Sequence, residues 1–278
     1  MRKNRPSISA ESLAFVRAME SRKAPGERVC FDPFAEHFTG GRFRVNKFYP
    51  QMWNALVART RYIDDYLTSC IRDGIQQLVI LGAGYDSRPY RFDFKGRVRV
   101  FEVDHPATQR AKLKRLREIL GGLPDYVVFV PVDFREENLG KRLYESGYDN
   151  GLKTLFIWEG VVVYLPPEAV DVTLTFIAGN SPVGSSIIFD YVYACAVDGS
   201  CPAKETVRMR RSARMAEERW EFGIDKEQVE GFLTERGFCR VVNADSEVLE
   251  KTYFKGINGA REILPVFGIV RAEVRPRK

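Results

Sequence analysis

The sequence predicts an α/β fold built on a mostly parallel sheet, and three features carry that expectation. The run Leu78-Val79-Ile80-Leu81 is apolar without alternation and ends in Gly82-Ala83-Gly84, which suits a strand buried on both faces that opens into a turn approached by a ligand. Downstream, further apolar strands alternate with helical stretches, the order that favours parallel pairing through right-handed crossovers. Successive strand ends then carry acids, at Asp104, Asp133 and Glu159, and in an open α/β sheet such ends converge on one crevice.

The elements follow in order. Residues 7–21 read as a helix capped by Ser7 or Ser9, with Leu13, Ala14, Val16, Ala18 and Met19 on its apolar face. The turn at Phe31-Asp32-Pro33-Phe34 is expected to lie across the main domain. Met52, Leu56, Val57, Ile63 and Leu67 recur at helical spacing over 49–71, a helix that delivers Arg59 and Arg61 just before the glycine-ended strand. Strands over 97–103, 126–132, 155–158 and 186–192, with helices over 107–120 and 167–178, complete the repeating core; Gly121-Gly122 closes the first of these helices. Residues 203–221 are expected to form one long charged helix near the mouth of the site, and 226–236 a helix ended by Gly237. Strands over 239–244 and 265–274 would add a closing antiparallel hairpin. The chain therefore reads as a single domain over 1–278: a helical elaboration (1–72), a ligand-binding core (73–195), a helical insertion or cap (196–237) and closing strands (238–278).

Composition narrows the function. With 278 residues, 45% hydrophobic and 29% charged, the chain can bury a sizeable core and falls outside the disordered and fibrous classes. No apolar run approaches the roughly 18 residues that span a bilayer, and no apolar stretch follows the basic Met1–Pro6 segment, so a cytoplasmic location and no membrane partner are expected. Five scattered cysteines without a C-x-x-C pair argue against a disulfide framework or a zinc site. Two histidines give little support to metal centres or to Ser-His and Cys-His nucleophiles. The net charge of +6 is spread over residues 1–23, 110–118 and 204–219; such runs read as solvated helix faces, so a nucleic-acid partner is not expected, while an acidic substrate is compatible.

The strand ends carry the chemistry. Ser87 stands where the dinucleotide fingerprint would need its third glycine, which weakens an NAD reading. Phe101-Glu102-Val103-Asp104 places carboxylates where a ribose presents its hydroxyls, a role compatible with Asp104 capping the following helix. Asp133 could accept from an adenine amino group with Phe134 packed on the ring; the alternative is a helix cap or loop acid. Glu159, within an apolar stretch, should face a ligand or a cation, because an unpaired buried carboxylate is costly.

Taken together, Leu81-Gly82-Ala83-Gly84-Tyr85-Asp86-Ser87-Arg88, Phe101-Glu102-Val103-Asp104-His105-Pro106 and Trp158-Glu159-Gly160 with Tyr164-Leu165-Pro166 resemble the signature blocks of the leucine carboxyl methyltransferase-like family of S-adenosylmethionine-dependent O-methyltransferases. The resemblance covers roughly residues 30–195. It implies a Rossmann-like class I methyltransferase: a mostly parallel, seven-stranded twisted sheet with an antiparallel closing strand, helices on both faces, an N-terminal helical extension and an inserted helix over the site. It also implies S-adenosylmethionine as cofactor. Carried over by position, Arg59 (Arg61 in reserve) would hold the methionine carboxylate, Gly82, Ala83 and Gly84 would lie under the cofactor, and Asp104 would meet the ribose. Asp133 and Phe134 would meet the adenine, Glu159 the methionine amine, and Tyr164 the acceptor. One departure is Tyr85-Asp86-Ser87, where many members have Leu or Met followed by Asp-Thr. Arg59 has an alternative as a surface ion pair with Asp64 or Asp65, and His105 is expected to shape its turn.

The expected partner is a small-molecule or peptide carboxylate, with oligomeric state left open. A carboxylate is already ionised at neutral pH, so its attack on a sulfonium methyl needs no general base, which agrees with the lack of a nucleophile–base triad. The competing readings are an NAD-dependent oxidoreductase, a nucleic-acid methyltransferase and a non-catalytic protein that binds the methyl donor.

Overall fold

The computed structural model of the protein describes residues 7–39, 50–94, 96–134, 136–215 and 218–276. The basic Met1–Pro6 segment and the expected helix start at Tyr49 lie outside them. In chain order, α1 (Ile8–Ser21) and α2 (Pro50–Arg72) precede β1 (Gln77–Leu81), the short α3 (Arg88–Arg91), β2 (Arg99–Asp104), α4 (Pro106–Leu120) and β3 (Val127–Pro131). Then come α5 (Leu139–Glu145), β4 (Thr154–Trp158), α6 (Pro167–Gly179), β5 (Ser186–Val192), α7 (Ala194–Asp198) and α8 (Lys204–Met215). The chain continues through α9 (Val229–Glu235), β6 (Phe238–Asp245), α10 (Ser246–Tyr253) and β7 (Phe267–Val274).

The seven strands form one sheet in the order β3-β2-β1-β4-β5-β7-β6. The first five run parallel, and β7 lies antiparallel between β5 and β6. This is the mostly parallel, seven-stranded α/β architecture expected, with β7 as its antiparallel member. Alternate residues of the buried strands feed two cores, as the two-residue period requires. Leu78 and Ile80 of β1 pack in the cluster that holds Leu56, Ile63 and Leu67 of α2. Val79 and Leu81 face the other way, into the cluster with Leu143, Leu174, Ile177 and Leu233 of α5, α6 and α9. Because β1 is flanked by β2 on one side and β4 on the other, strand order reverses there, and a crevice opens beyond the carboxyl ends.

Several local expectations need correction. The cap of α4 is His105, whose Nδ1 accepts the Ala107 N–H at 3.2 Å; Asp104 is turned instead toward the glycine loop. The long charged helix over 203–221 stops at Met215, because the chain beyond it follows another surface: the N–H groups of Glu221 and Phe222 donate to the Val163 carbonyl at 2.7 and 3.2 Å. Residues 216–217 of that expected helix lie outside the described residues. The helix expected from Lys226 begins at Val229. Of the two candidate caps for α1, Ser7 accepts the Ala10 N–H at 3.2 Å. The Asp32-Pro33 turn does lie across the main domain, where the Phe34 ring packs beside Tyr90 with centroids 6.2 Å apart; the Asp32 carboxylate ties the turn to α1 by accepting from Arg17 Nε at 2.8 Å. No helix among the described residues is long and apolar enough to cross a membrane.

Candidate active site

A cavity of about 320 Å³ opens at the carboxyl ends of β1 to β4. Its floor is the turn after β1. Gly82 has φ +67°, and a Cβ placed there would lie 2.3 Å from Val161 Cγ2, so this position tolerates neither the left-handed backbone nor the volume of any other residue. The turn is held from β2: Asp104 accepts the Gly84 N–H at 2.6 Å and its own neighbour's, from His105, at 2.6 Å. Burial raises the Asp104 carboxyl to about 6, against the lowering effect of these two donors. A carboxylate has about four lone-pair positions, so Asp104 keeps acceptor capacity toward the cavity it lines.

Beside Asp104, Val132, Asp133 and Phe134 continue the wall past the end of β3. Asp133 lies 3.7 Å from His105 Nε2, and Phe134 packs against the cluster beneath. Beyond β4 the wall comprises Glu159, Gly160, Val161, Tyr164 and Leu165. Thus Gly82, Ala83, Gly84, Asp104, Asp133, Phe134, Glu159 and Tyr164, chosen from the sequence, all line one cavity.

Arg59 stands one layer behind it. Its Nε donates to Glu159 at 2.9 Å and its Nη1 to Asp190 of β5 at 2.6 Å, so the surface pair with Asp64 or Asp65 does not form. The Nη2 atom lies 3.4 Å from where a Cβ on Gly160 would be. Asp190 also accepts the Gly160 N–H at 2.6 Å. Arg61 is half-exposed and pairs with Asp65 at 2.8 Å, away from the cavity wall. Glu159 is shared: Arg88 Nη1 holds its other oxygen at 2.6 Å. Opposed by burial, the two guanidiniums still hold the Glu159 carboxyl far below the usual carboxylate range. Arg88 itself is fully buried and bound to Asp64 and Asp86 as well.

The opposite wall comes from elements far away in sequence. Ser7, Ser9, Ala10, Leu13 and Arg17 of α1 and its cap line it together with Glu218 and Arg219. Ser7 Oγ donates to Glu218 at 3.1 Å, and Ser9 Oγ donates to the other oxygen. Ser9 is also hydrogen-bonded to Tyr164, whose phenol is pushed up by burial. These residues, with Asp190 and Arg88, are absent from the site read from the sequence. Only Asp190 left a signal there, as an acid inside the apolar run 186–192.

The model of one protein family, leucine carboxyl methyltransferase, matches residues 10–178, more than half of the chain. The chain belongs to the leucine carboxyl methyltransferase family. Consistent with this, it is 32% identical over 248 residues to a Mycobacterium sp. (strain KMS) protein named "Putative S-adenosyl-L-methionine-dependent methyltransferase", covering 84% of this chain and 75% of that one. A Mycobacterium ulcerans (strain Agy99) protein of the same name is 34% identical over 212 residues, with 72% and 66% covered. Among solved structures, a "putative methyltransferase" from Thermobifida fusca YX superposes with a TM-score of 0.64 at 13% identity, over 98% of this chain and 96% of that one. An O-methyltransferase family protein from Burkholderia thailandensis gives 0.51 at 10% identity, over 97% and 71%. At such identities these two likenesses speak for the fold alone. The family match spans α1, α2 and the strands β1 to β4 that carry the floor and the acids, and stops short of Asp190, Glu218 and Arg219.

Proposed function

We propose that this member of the family is a carboxyl O-methyltransferase acting on a small-molecule or peptide carboxylate. S-adenosylmethionine-dependent methyl transfer follows from family membership; the carboxylate acceptor is the finer reading. The observation that supports it is that the lining hydroxyls Ser7 and Ser9 are bonded to Glu218 and not to His105, so no nucleophile–base triad is formed; the acids at three successive strand ends, Asp104, Asp133 and Glu159, bear on the cofactor instead.

The residues present fit the cofactor. A glycine floor that a Cβ would obstruct allows close approach to the backbone, and an acid-rich wall favours a ligand carrying sulfonium and ammonium charge. S-adenosylmethionine, when bound, supplies an activated methyl group on a positive sulfur. In this reading Asp104 accepts from the ribose hydroxyls, Asp133 from the adenine amino group, and Phe134 packs on the ring. Arg59 offers its Nη2 edge past Gly160 to the methionine carboxylate, while Glu159 orients that guanidinium and balances the amine. Tyr164, held by Ser9, positions the acceptor. Because an acceptor carboxylate carries no proton at neutral pH, none of these residues needs to act as a base; their contribution is alignment and exclusion of water. With the cytoplasmic expectation kept as part of this proposal, the acceptor would be a soluble acid.

Calorimetry with S-adenosylmethionine, S-adenosylhomocysteine and NAD tests the cofactor; binding of NAD alone would overturn it. Transfer of a radiolabelled methyl group, followed by release as methanol in mild base, tests the ester. A base-stable product would exclude the carboxylate.

A further inference from the structure

The cavity wall holds six acids, Asp86, Asp104, Asp133, Glu136, Glu159 and Glu218, against two arginines, Arg17 and Arg219. Arg17 is committed to structure: Nε donates to Asp32 at 2.8 Å and Nη2 to the Tyr85 carbonyl at 2.6 Å. The His105 ring is held by the α4 cap at one nitrogen and lies near Asp133 at the other. Arg219 differs from both. It is exposed at the mouth and makes no ion pair or side-chain hydrogen bond among the described residues.

Its position is nevertheless fixed. Glu218 is bonded to Ser7 and Ser9, Trp220 packs in the cluster around Val163 and Val192, and Glu221 and Phe222 are bonded to the Val163 carbonyl. Arg219 is thus carried on the wall opposite the strand ends, in a cavity whose lining also includes Tyr164 and the apolar side chains Leu13, Val161 and Leu165.

Resting on the methyltransferase reading above, we infer that Arg219 is the specificity residue that recognises the methyl acceptor by its negative charge. An anion entering a cavity so rich in acids is repelled unless a cation meets it, and a guanidinium is the side chain suited to a carboxylate. The acceptor is then an acid on an apolar body, a free acid or a peptide C-terminus. In the transfer, the sulfur–methyl bond breaks as an oxygen–methyl bond forms. Sulfonium and carboxylate become neutral thioether and neutral ester, and no proton moves. The ester no longer attracts Arg219, so the same residue that recruits the acid favours release of the product.

The experiment compares wild type with Arg219→Gln and Arg219→Lys. S-adenosylhomocysteine affinity is measured first, then binding of octanoate, benzoate and N-acetyl-leucine to the loaded proteins, each against its methyl ester. Expected is equal S-adenosylhomocysteine affinity in all three proteins, and a wild-type preference for at least one acid over its ester. That acid should bind at least about tenfold more weakly to Arg219→Gln, with partial recovery in Arg219→Lys and unchanged ester binding. N-acetyl-leucine binding best would identify a peptide terminus, and octanoate or benzoate a free acid; both support the inference. Equal acid affinity in wild type and Arg219→Gln, no acid preference in wild type, or weakened S-adenosylhomocysteine binding in Arg219→Gln would overturn it. Wild-type failure to bind S-adenosylhomocysteine would instead overturn the methyltransferase reading.

Discussion

The Arg59 guanidinium bridges Glu159 and Asp190, at 2.9 and 2.6 Å, and so ties the end of β4 to β5 directly behind the cavity. All three groups are almost wholly buried, so the ion triad is held by mutual compensation: removing Arg59 strands Asp190, while Glu159 keeps Arg88. Arg59→Ala should therefore lower unfolding free energy by about 3–5 kcal/mol, read from urea unfolding. Arg59→Met combined with Asp190→Asn should recover part of that loss. If Arg59→Ala unfolds like wild type, the triad contributes no stability.

The Asp104 carboxyl, raised to about 6 by burial, gives a pH prediction. A raised folded value means that its contribution to stability is complete below the unfolded value near 3.8 and is lost as pH rises through about 6. Ligand hydroxyls donating to Asp104 favour the ionised form, so S-adenosylmethionine affinity should fall as pH drops below about 6. Calorimetry between pH 5 and 7.5 checks this, and Asp104→Asn should bind more weakly and without that step.

Gly82 and Gly121 both have φ near +70° but different surroundings, since no atom lies within 4 Å of a Cβ on Gly121. Gly121→Ala should cost about 1–2 kcal/mol, the backbone term alone. Gly82→Ala adds a collision with Val161 and should cost more, and it should also abolish cofactor binding. Thermal melts that rank the two equally would show that the floor yields.

Behind the glycine loop, Lys112 is 1% exposed and sits 2.8 Å from Glu102, which also accepts from Tyr90 at 2.7 Å. Burial raises the Glu102 carboxyl even with Lys112 present. Lys112→Met should raise it further, so the variant should lose more stability at pH 8 than at pH 5; adding Glu102→Gln should flatten that difference. Parallel melting curves of wild type and Lys112→Met across this range would contradict the prediction.

What the sequence made legible was local. A strand that ends in glycines, or in an acid before a proline, announces its own geometry, which is why Asp104, Asp133, Glu159 and the floor could be read along one line of residues. Arg59 shows the limit: its acidic neighbours Asp64 and Asp65 are close in sequence, yet its partners lie on β4 and β5, where chain tracing alone does not reach. Asp190 yields to the same argument that marked Glu159, a carboxylate in an apolar strand. Ser9, Glu218 and Arg219 do not, because nothing in α1 or in the segment after α8 states that the two meet across a cavity. The charged run 203–221 misled in length, since its polarity suits a solvated helix and an extended wall equally, and the tie to Val163 decides between them. Helices as short as α3 and α7 carry too few turns to show a period.

The insertion of β7 between β5 and β6 makes the far end of the chain a support of the site. Asp190 lies opposite Ile269 in the ladder, so the outer neighbour of the strand that buttresses Arg59 is supplied by residues 267–274. The glycine floor and the acids at the ends of β2 and β3 thus stand on strands paired within the parallel half of the sheet, whereas the guanidinium behind them is backed by a strand whose outer edge is covered from the antiparallel half.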